Sequence, residues 1–149
     1  MAQLDMVHVP YRGSSAAYPD LMTGKVHVLF DNLPGSIEFV RAGQLRALGV
    51  TTAKRSDALP DVPAIGEILP GYEASVWYGI AAPKGTPAEA IEVLNKAFTA
   101  ALADPKMQAR IADLGGTPMP MSPAEFGKLV ADETEKWGAV VKSAGLSIE

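Results

Sequence analysis

Residues 5–51 constrain the fold of this chain more than any other stretch, because strand-like and helix-like patterns alternate there in short units. β-Branched and apolar residues concentrate at 6–10, 26–30 and 45–51, and the intervening segments carry helix caps and glycine stops. This order predicts a βαβαβ arrangement, which favours parallel strands joined by right-handed crossovers. The nearly unbroken apolar run at 26–30 is typical of a strand buried on both faces. We therefore predict an α/β fold with a parallel-type sheet flanked by helices.

The remaining sequence predicts one long loop, one strand and three helices. Residues 52–73 hold three prolines and leave room for only a short helix near 64–68. A further strand is predicted at 74–82. Capping boxes at 86–89 and 122–125, and an Asp-Pro pair at 104–105, predict the starts of three helices.

The net charge and composition of the chain argue against several classes of protein. The net charge of −4 over 149 residues argues against a nucleic-acid-binding surface. The absence of cysteine removes disulfides, thiol nucleophiles and thiolate metal sites. No apolar run approaches the roughly 20 residues of a membrane-spanning helix, and the first residues lack the pattern of a signal peptide.

The loop Tyr11-Arg12-Gly13-Ser14-Ser15 is the strongest candidate for binding chemistry. Unpaired N–H groups at a helix start carry partial positive charge, and glycine lets an anion approach the backbone. The serine hydroxyls can donate, and the arginine can pair with a carboxylate in a bidentate way. The alternative is an ordinary strand-to-helix turn in which a serine caps the helix.

Asp31 and Asn32 follow the second predicted strand, and ligands of open α/β sheets lie beyond the carboxyl ends of strands. We therefore expect both residues on the same rim as the 11–15 loop, where Asp31 can accept from a ligand hydroxyl or amine. The alternative role of Asn32 is to cap the next helix. Trp77 follows the proline-rich loop and is a further candidate, although an aromatic residue on a strand more often belongs to a core.

Catalysis and metal binding receive little support from the sequence. His8 and His27 lie within predicted strands and, with the two serines and Asp31, supply the ingredients of a hydrolytic triad. No Gly-x-Ser-x-Gly nucleophile elbow accompanies them. No cluster of histidine and acidic residues has the spacing of a metal site. We expect no catalysis, no cofactor and no metal, and keep a small hydrolase as a remote alternative.

Three long blocks of the chain resemble a known family. They are VHVPYRGSSAAYPDLMTGKVHVLFDNLPGS, RAGQLRALGVTTAKRSDALPDVPAIGE and LPGYEASVWYGIAAPKGTPAEAIEVLN. Together with the ALADP, LGG and final FGKLVADETEKWGAVVKSAG segments, they resemble the Bug-type periplasmic solute receptors of tripartite tricarboxylate transporters. The resemblance implies a two-lobed clamshell fold, periplasmic localisation, a small carboxylate ligand and membrane components of the transporter as partners.

The resemblance also implies roles for individual residues and regions. Tyr11, Gly13, Ser14 and Ser15 match a ligand-facing loop of the second lobe, and Asp31 matches the aspartate of an FDN motif. Arg12 stands where many relatives have lysine. Residues 1–78 would form part of the second lobe, and residues 79–149 would form a crossover and a helical segment that packs on the first lobe.

The resemblance covers about half of a full receptor, which raises an alternative reading of the chain. A truncated fragment that lacks the first lobe would expose apolar surface and self-associate, so we expect a homo-oligomer. In the extreme form of this alternative, the chain binds no ligand and acts as a structural or interaction module.

Overall fold

The computed structural model describes residues 5–145, and helices account for its regular structure. The helices are α1 (Ser14–Met22), α2 (Leu33–Arg41), a 3₁₀ turn (Ile65–Glu67), α3 (Ala88–Ala103), α4 (Pro105–Asp113) and α5 (Pro123–Ser143). Within the described range no strand is formed, and the β-pairing is an isolated parallel bridge between Val50 and Ala64. No helix in this range combines the length and the apolar character needed to cross a bilayer.

The predicted parallel sheet is therefore not confirmed, and the prediction of a strand at 26–30 buried on both faces is wrong for the described chain. Val28 is 51% exposed and Phe30 is 64% exposed. A β-prone segment becomes a strand only when a neighbouring backbone exchanges hydrogen bonds with it. The segment at 26–30 has no such neighbour among the described residues.

The chain divides into two compact units, and one of the three boundaries between them falls within α4. The first unit runs to Gly79 and also includes Gln108–Thr117. Its buried residues are Ala17, Tyr18, Ile37 and Ala64, and the Tyr18 and Phe39 rings pack with their centroids 4.7 Å apart. The core of this unit thus lies between the inner faces of α1 and α2.

The returning segment 108–117 is fixed to α2 by charge and by close packing. The Arg41 guanidinium donates to the Asp113 carboxylate at 3.2 Å and to the Asp113 carbonyl at 3.1 Å. Gly115 adopts a φ of +76°, and a Cβ at this position would lie 2.3 Å from the Leu33 side chain. Glycine is required here because both the backbone conformation and the packing exclude a side chain.

The proline-rich segment is held by one ion pair. Arg55 donates twice to the Glu67 carboxylate, at 2.8 and 2.7 Å, and Glu67 also accepts from the Ala64 N–H at 2.9 Å. The hydrogen bonds from Arg55, followed by the one from the Ala64 N–H, lower the pKa of Glu67 to about 2. The short helix predicted near 64–68 is confirmed as the 3₁₀ turn Ile65–Glu67.

The second unit consists of Ile80–Met107 and the residues from Pro118 onward. The predicted capping box at the start of α5 is confirmed, since Ser122 and Glu125 exchange hydrogen bonds. The capping box predicted for α3 is wrong, because Pro87 occupies the N-cap and makes no side-chain cap bond. Asn95 of α3 donates to the Met121 carbonyl at 2.9 Å. No described residue of this unit reaches full burial.

Candidate functional site

The candidate site is built around the start of α1. Gly13 is the N-cap residue with a φ of 145°, a conformation that side chains disfavour, and it turns the chain into Ser14 and Ser15. The serine cap that the sequence analysis gave as the alternative is wrong, because Gly13 is the N-cap residue and no side-chain cap bond is present. The Ser14 and Ser15 N–H groups therefore lack a capping side chain and precede the first hydrogen bond of the helix, which runs from the Ala16 N–H to the Gly13 carbonyl at 3.1 Å.

The Asp31 carboxylate joins the 11–15 loop to the residue before α2. Ser14 Oγ donates to Asp31 Oδ1, and Tyr18 Oη donates to Asp31 Oδ2 at 2.5 Å. The expectation that Asp31 lies beside the loop is therefore met by direct contact with Ser14. The two hydroxyl donors fix the carboxylate against α1, so the loop and the end of segment 26–30 form one polar cluster.

Tyr18 is the member of this cluster that the sequence reasoning missed. It is buried, and burial together with the hydrogen bond to Asp31 raises its pKa to about 12. A Cβ on Gly35 would lie 2.8 Å from the Tyr18 hydroxyl, so glycine leaves the space that this hydroxyl occupies. The available signal was spacing: Ser14 and Tyr18 are four residues apart on a helix and share one face.

Tyr11 lies in the loop but directs its hydroxyl elsewhere. Its hydroxyl donates to Asp20 Oδ2 at 2.9 Å, and Lys25 Nζ donates to Asp20 Oδ1 at 2.9 Å. The hydrogen bond to Asp20 raises the pKa of Tyr11 above its ordinary value. Tyr11 therefore fastens the loop to the C-terminal half of α1 through its hydroxyl.

The remaining predicted site residues differ in their surroundings. Arg12 and Ser15 are exposed, and neither forms an ion pair or a side-chain hydrogen bond with another residue of the described range. Asn32 is the N-cap residue of α2 but makes no side-chain cap bond, so its capping role is limited to the backbone. Trp77 is half-buried in a segment without regular structure, and its participation stays a prediction.

Neither histidine completes a triad with the serines. His8 and His27 are exposed, whereas the Ser14 hydroxyl donates to Asp31. A hydroxyl activated for nucleophilic attack would donate to a general base such as imidazole. Within residues 5–145, no group of three or more histidine or acidic side chains is arranged to hold a metal ion.

Comparison with known proteins identifies the family. The tripartite tricarboxylate transporter family receptor profile matches residues 1–146, and this chain belongs to that family. A UPF0065 protein from the tcbD-tcbE intergenic region of Pseudomonas sp. strain P51 is 39% identical over 142 residues, covering 94% of this chain and 42% of the relative.

Solved structures agree with this assignment. The periplasmic binding protein BugD is 32% identical, with a TM-score of 0.86, and the match covers 98% of this chain and 50% of BugD. MatC from Rhodopseudomonas palustris, solved with bound malate, is 32% identical with a TM-score of 0.81, covering 93% of this chain and 49% of MatC. The chain thus spans about half the length of these relatives, and its fold corresponds to half of a periplasmic binding protein.

Proposed function

We propose that this chain is a periplasmic solute receptor, or the half of one, that captures a small carboxylate for a tripartite tricarboxylate-type transporter. Membership of the receptor family supports the class of function. The malate bound to MatC supports a carboxylate ligand. The observation that carries the proposal for this chain is the Asp31 contact with Ser14, because it fixes the start of α1 at one place on the molecule.

The anionic part of the ligand would bind at the first turn of α1. The Ser14 and Ser15 N–H groups there precede the first hydrogen bond of the helix, from the Ala16 N–H to the Gly13 carbonyl, and carry partial positive charge. The exposed Ser15 hydroxyl can donate to a carboxylate oxygen, and Gly13 keeps the backbone open to close approach. Arg12 adds a positive charge with no competing acidic partner among the described residues.

Asp31 would face a different part of the ligand. Its negative charge repels a carboxylate, and the Ser14 proton is already directed to it. The Ser14 oxygen can still accept, so Ser14 and Asp31 together would receive a hydroxyl or amine of the ligand. A ligand that carries such a donor next to its carboxylate would satisfy both ends of the cluster.

The other predicted residues take supporting roles in this proposal. Tyr11 would hold the loop in position through Asp20. Asn32 and Trp77 remain candidates for ligand contact.

The proposal also covers the larger organisation of the chain. Residues 1–78 would form part of the second lobe, and residues 79–149 would form a crossover and a helical segment. The membrane components of the transporter would be the partners. Binding would proceed without making or breaking a covalent bond.

Calorimetry with malate, succinate and dimethyl malate tests the proposal. We expect the two acids to bind and the uncharged diester to bind at least several-fold more weakly, because it cannot pair with the helix start. Ser14→Ala combined with Ser15→Ala should weaken binding of the acids at least a few-fold. Ser143→Ala, a serine of α5, is the matched control and should bind as the wild type does. Unchanged affinity in the double variant, or no binding of any carboxylate by the wild type, would overturn the proposal.

A further inference from the structure

Two half-buried carboxylates accept hydrogen bonds at α1, and they differ in the charge of their donors. Asp20 accepts from the Tyr11 hydroxyl and from the Lys25 ammonium, each at 2.9 Å, so a cation balances its charge. Asp31 accepts from two hydroxyls of α1 and forms no ion pair within the part of the chain that the structure describes. A partly buried charge is stabilised by an opposite charge, and the described residues supply none to Asp31.

The hydroxyl donors orient the Asp31 carboxylate without saturating it. An ionised carboxylate has about four lone-pair positions, and the Ser14 and Tyr18 hydroxyls occupy one on each oxygen. The Tyr18 ring packs against Phe39, so the Tyr18 hydroxyl is held in place. Burial and the bond to Asp31 raise the pKa of Tyr18 to about 12, so this hydroxyl stays a donor at neutral pH. Asp31 therefore presents a fixed carboxylate with lone pairs left for a ligand.

Ser14 links this carboxylate to the proposed anion site at the start of α1. The Ser14 N–H precedes the first hydrogen bond of the helix, and the Ser14 hydroxyl donates to Asp31. The anion site and the carboxylate are thus joined through the N–Cα–Cβ–Oγ bonds of one residue. A ligand carboxylate at the N–H and a ligand donor at Asp31 must lie close together, as they do when both groups are attached to one carbon.

We propose that the site selects an α-amino acid and that Asp31 binds its ammonium group. This inference rests on the proposed function and narrows the donor of the ligand from a hydroxyl or amine to an ammonium. An ammonium supplies both a hydrogen-bond donor and the positive charge that Asp31 is missing. Arg12, which is exposed and forms no ion pair in the described range, and the helix start stay available to the carboxylate of the same ligand. Tyr18 acts as a positioning residue, because it touches Asp31 and not the ligand.

Calorimetry with L-aspartate, L-malate and succinate tests the proposal, because these acids share one skeleton and carry an ammonium, a hydroxyl or a hydrogen at one carbon. The wild type should bind L-aspartate about 10-fold more tightly than L-malate, since the ammonium adds attraction between opposite charges to the hydrogen bond. Asp31→Asn keeps the shape of the side chain and removes its charge, so it should weaken L-aspartate binding by about 10-fold and should not weaken succinate binding. Glu92→Gln, the same change at an exposed carboxylate of α3, is the control and should keep the preference for L-aspartate.

Tyr18→Phe tests the positioning role, because it retains the ring and removes the hydroxyl. The ratio of L-aspartate to succinate affinity should fall several-fold, whereas a purely structural role would weaken all three acids equally and would overturn the assignment of Tyr18. Tyr78→Phe, at an exposed tyrosine, should leave the ratio unchanged.

The affinities of the wild type decide the proposal even if a variant folds poorly, as judged by its helical circular dichroism. Equal affinity of the wild type for L-aspartate and L-malate would overturn the amino-acid preference and leave the proposed capture of a carboxylate standing. An unchanged preference in Asp31→Asn would overturn the role of Asp31 in the same way. Absence of binding by all three acids would instead overturn the proposed function itself, and this inference with it.

Discussion

The start of α1 and the helices of the second unit contrast in how their structure is maintained. The start of α1 relies on contacts between residues distant in sequence, since Asp31 receives two hydroxyl donors from α1. In the same unit, Ile37 of α2 is fully buried. In the second unit, α5 relies on local devices such as its capping box and an ion pair between Lys128 and Asp132 at 2.5 Å. No described residue of the second unit is fully buried.

The difference separates two sources of stability. Local caps and pairs along a helix each contribute a few tenths to about 1 kcal/mol. Burial of a large apolar side chain contributes about 1.5–3 kcal/mol, and it requires a second element to pack against. The candidate site lies in the region with tertiary contacts, which suits a binding site because its groups must be held in a fixed geometry.

The largest expected effect is the loss of the first unit's core. Ile37→Ala should lower the free energy of unfolding by about 2–5 kcal/mol, since Ile37 is 0% exposed and its removal leaves a cavity. Val93→Ala, at a position 67% exposed on α3, should change it by less than about 0.5 kcal/mol. Denaturant titration measures both variants. Similar losses for the two would break the contrast between the units.

A smaller effect is expected from the polar cluster. Tyr18→Phe removes one of the two hydroxyl donors to Asp31 and should lower the free energy of unfolding by about 1–3 kcal/mol. Tyr78→Phe, at a tyrosine 78% exposed, is the control and should be close to neutral.

The ionisation of Tyr18 sharpens the same comparison. Its pKa is raised from 10.0 to about 12, so the fold favours the neutral phenol. The associated stability is fully present below pH 10.0 and is lost as the pH rises through about 12. Because the pKa of Tyr11 is also raised, absorbance titration should show more than one delayed ionisation, and Tyr18→Phe should remove the step near pH 12. A step near pH 12 that persists in the variant would contradict the role of Tyr18.

The smallest expected effect lies in the second unit. Ser122→Ala removes the cap that accepts from the Glu125 N–H at 3.2 Å and should cost about 1 kcal/mol of helix stability. Ser143→Ala, near the other end of α5, should have no comparable effect on helicity. Thermal circular dichroism distinguishes the two variants. Equal melting temperatures for the two variants would show that the cap does not determine the stability of α5.

Helix positions were predictable because their determinants are local. The starts of α4 and α5 were read from Asp104 and Ser122, and both side chains accept from backbone N–H groups of the following turn. The predicted cap at Thr86 failed because its hydroxyl donates back to the Pro83 carbonyl at 2.8 Å. A hydroxyl near a helix start has several acceptors within reach, and the sequence does not rank them.

The candidate site was predictable only in part. The order of strand-like and helix-like segments correctly brought Ser14 and Asp31 together. The order of segments did not predict that the Tyr18 hydroxyl also donates to the Asp31 carboxylate, or that the Tyr11 hydroxyl donates to Asp20. Which hydroxyl reaches which carboxylate depends on the angle between elements, and that angle is set by packing.

The sequence by itself determined where α4 and α5 begin, because caps and prolines act within one turn of the backbone. It also marked the 11–15 loop and Asp31 as a pair. Only the tertiary structure decided that the β-prone segments 6–10 and 26–30 are not strands within the described chain, because a strand depends on a partner backbone that a local pattern cannot supply. For the same reason, burial at Tyr18 and Ile37, where α1 and α2 meet, was settled by packing between elements.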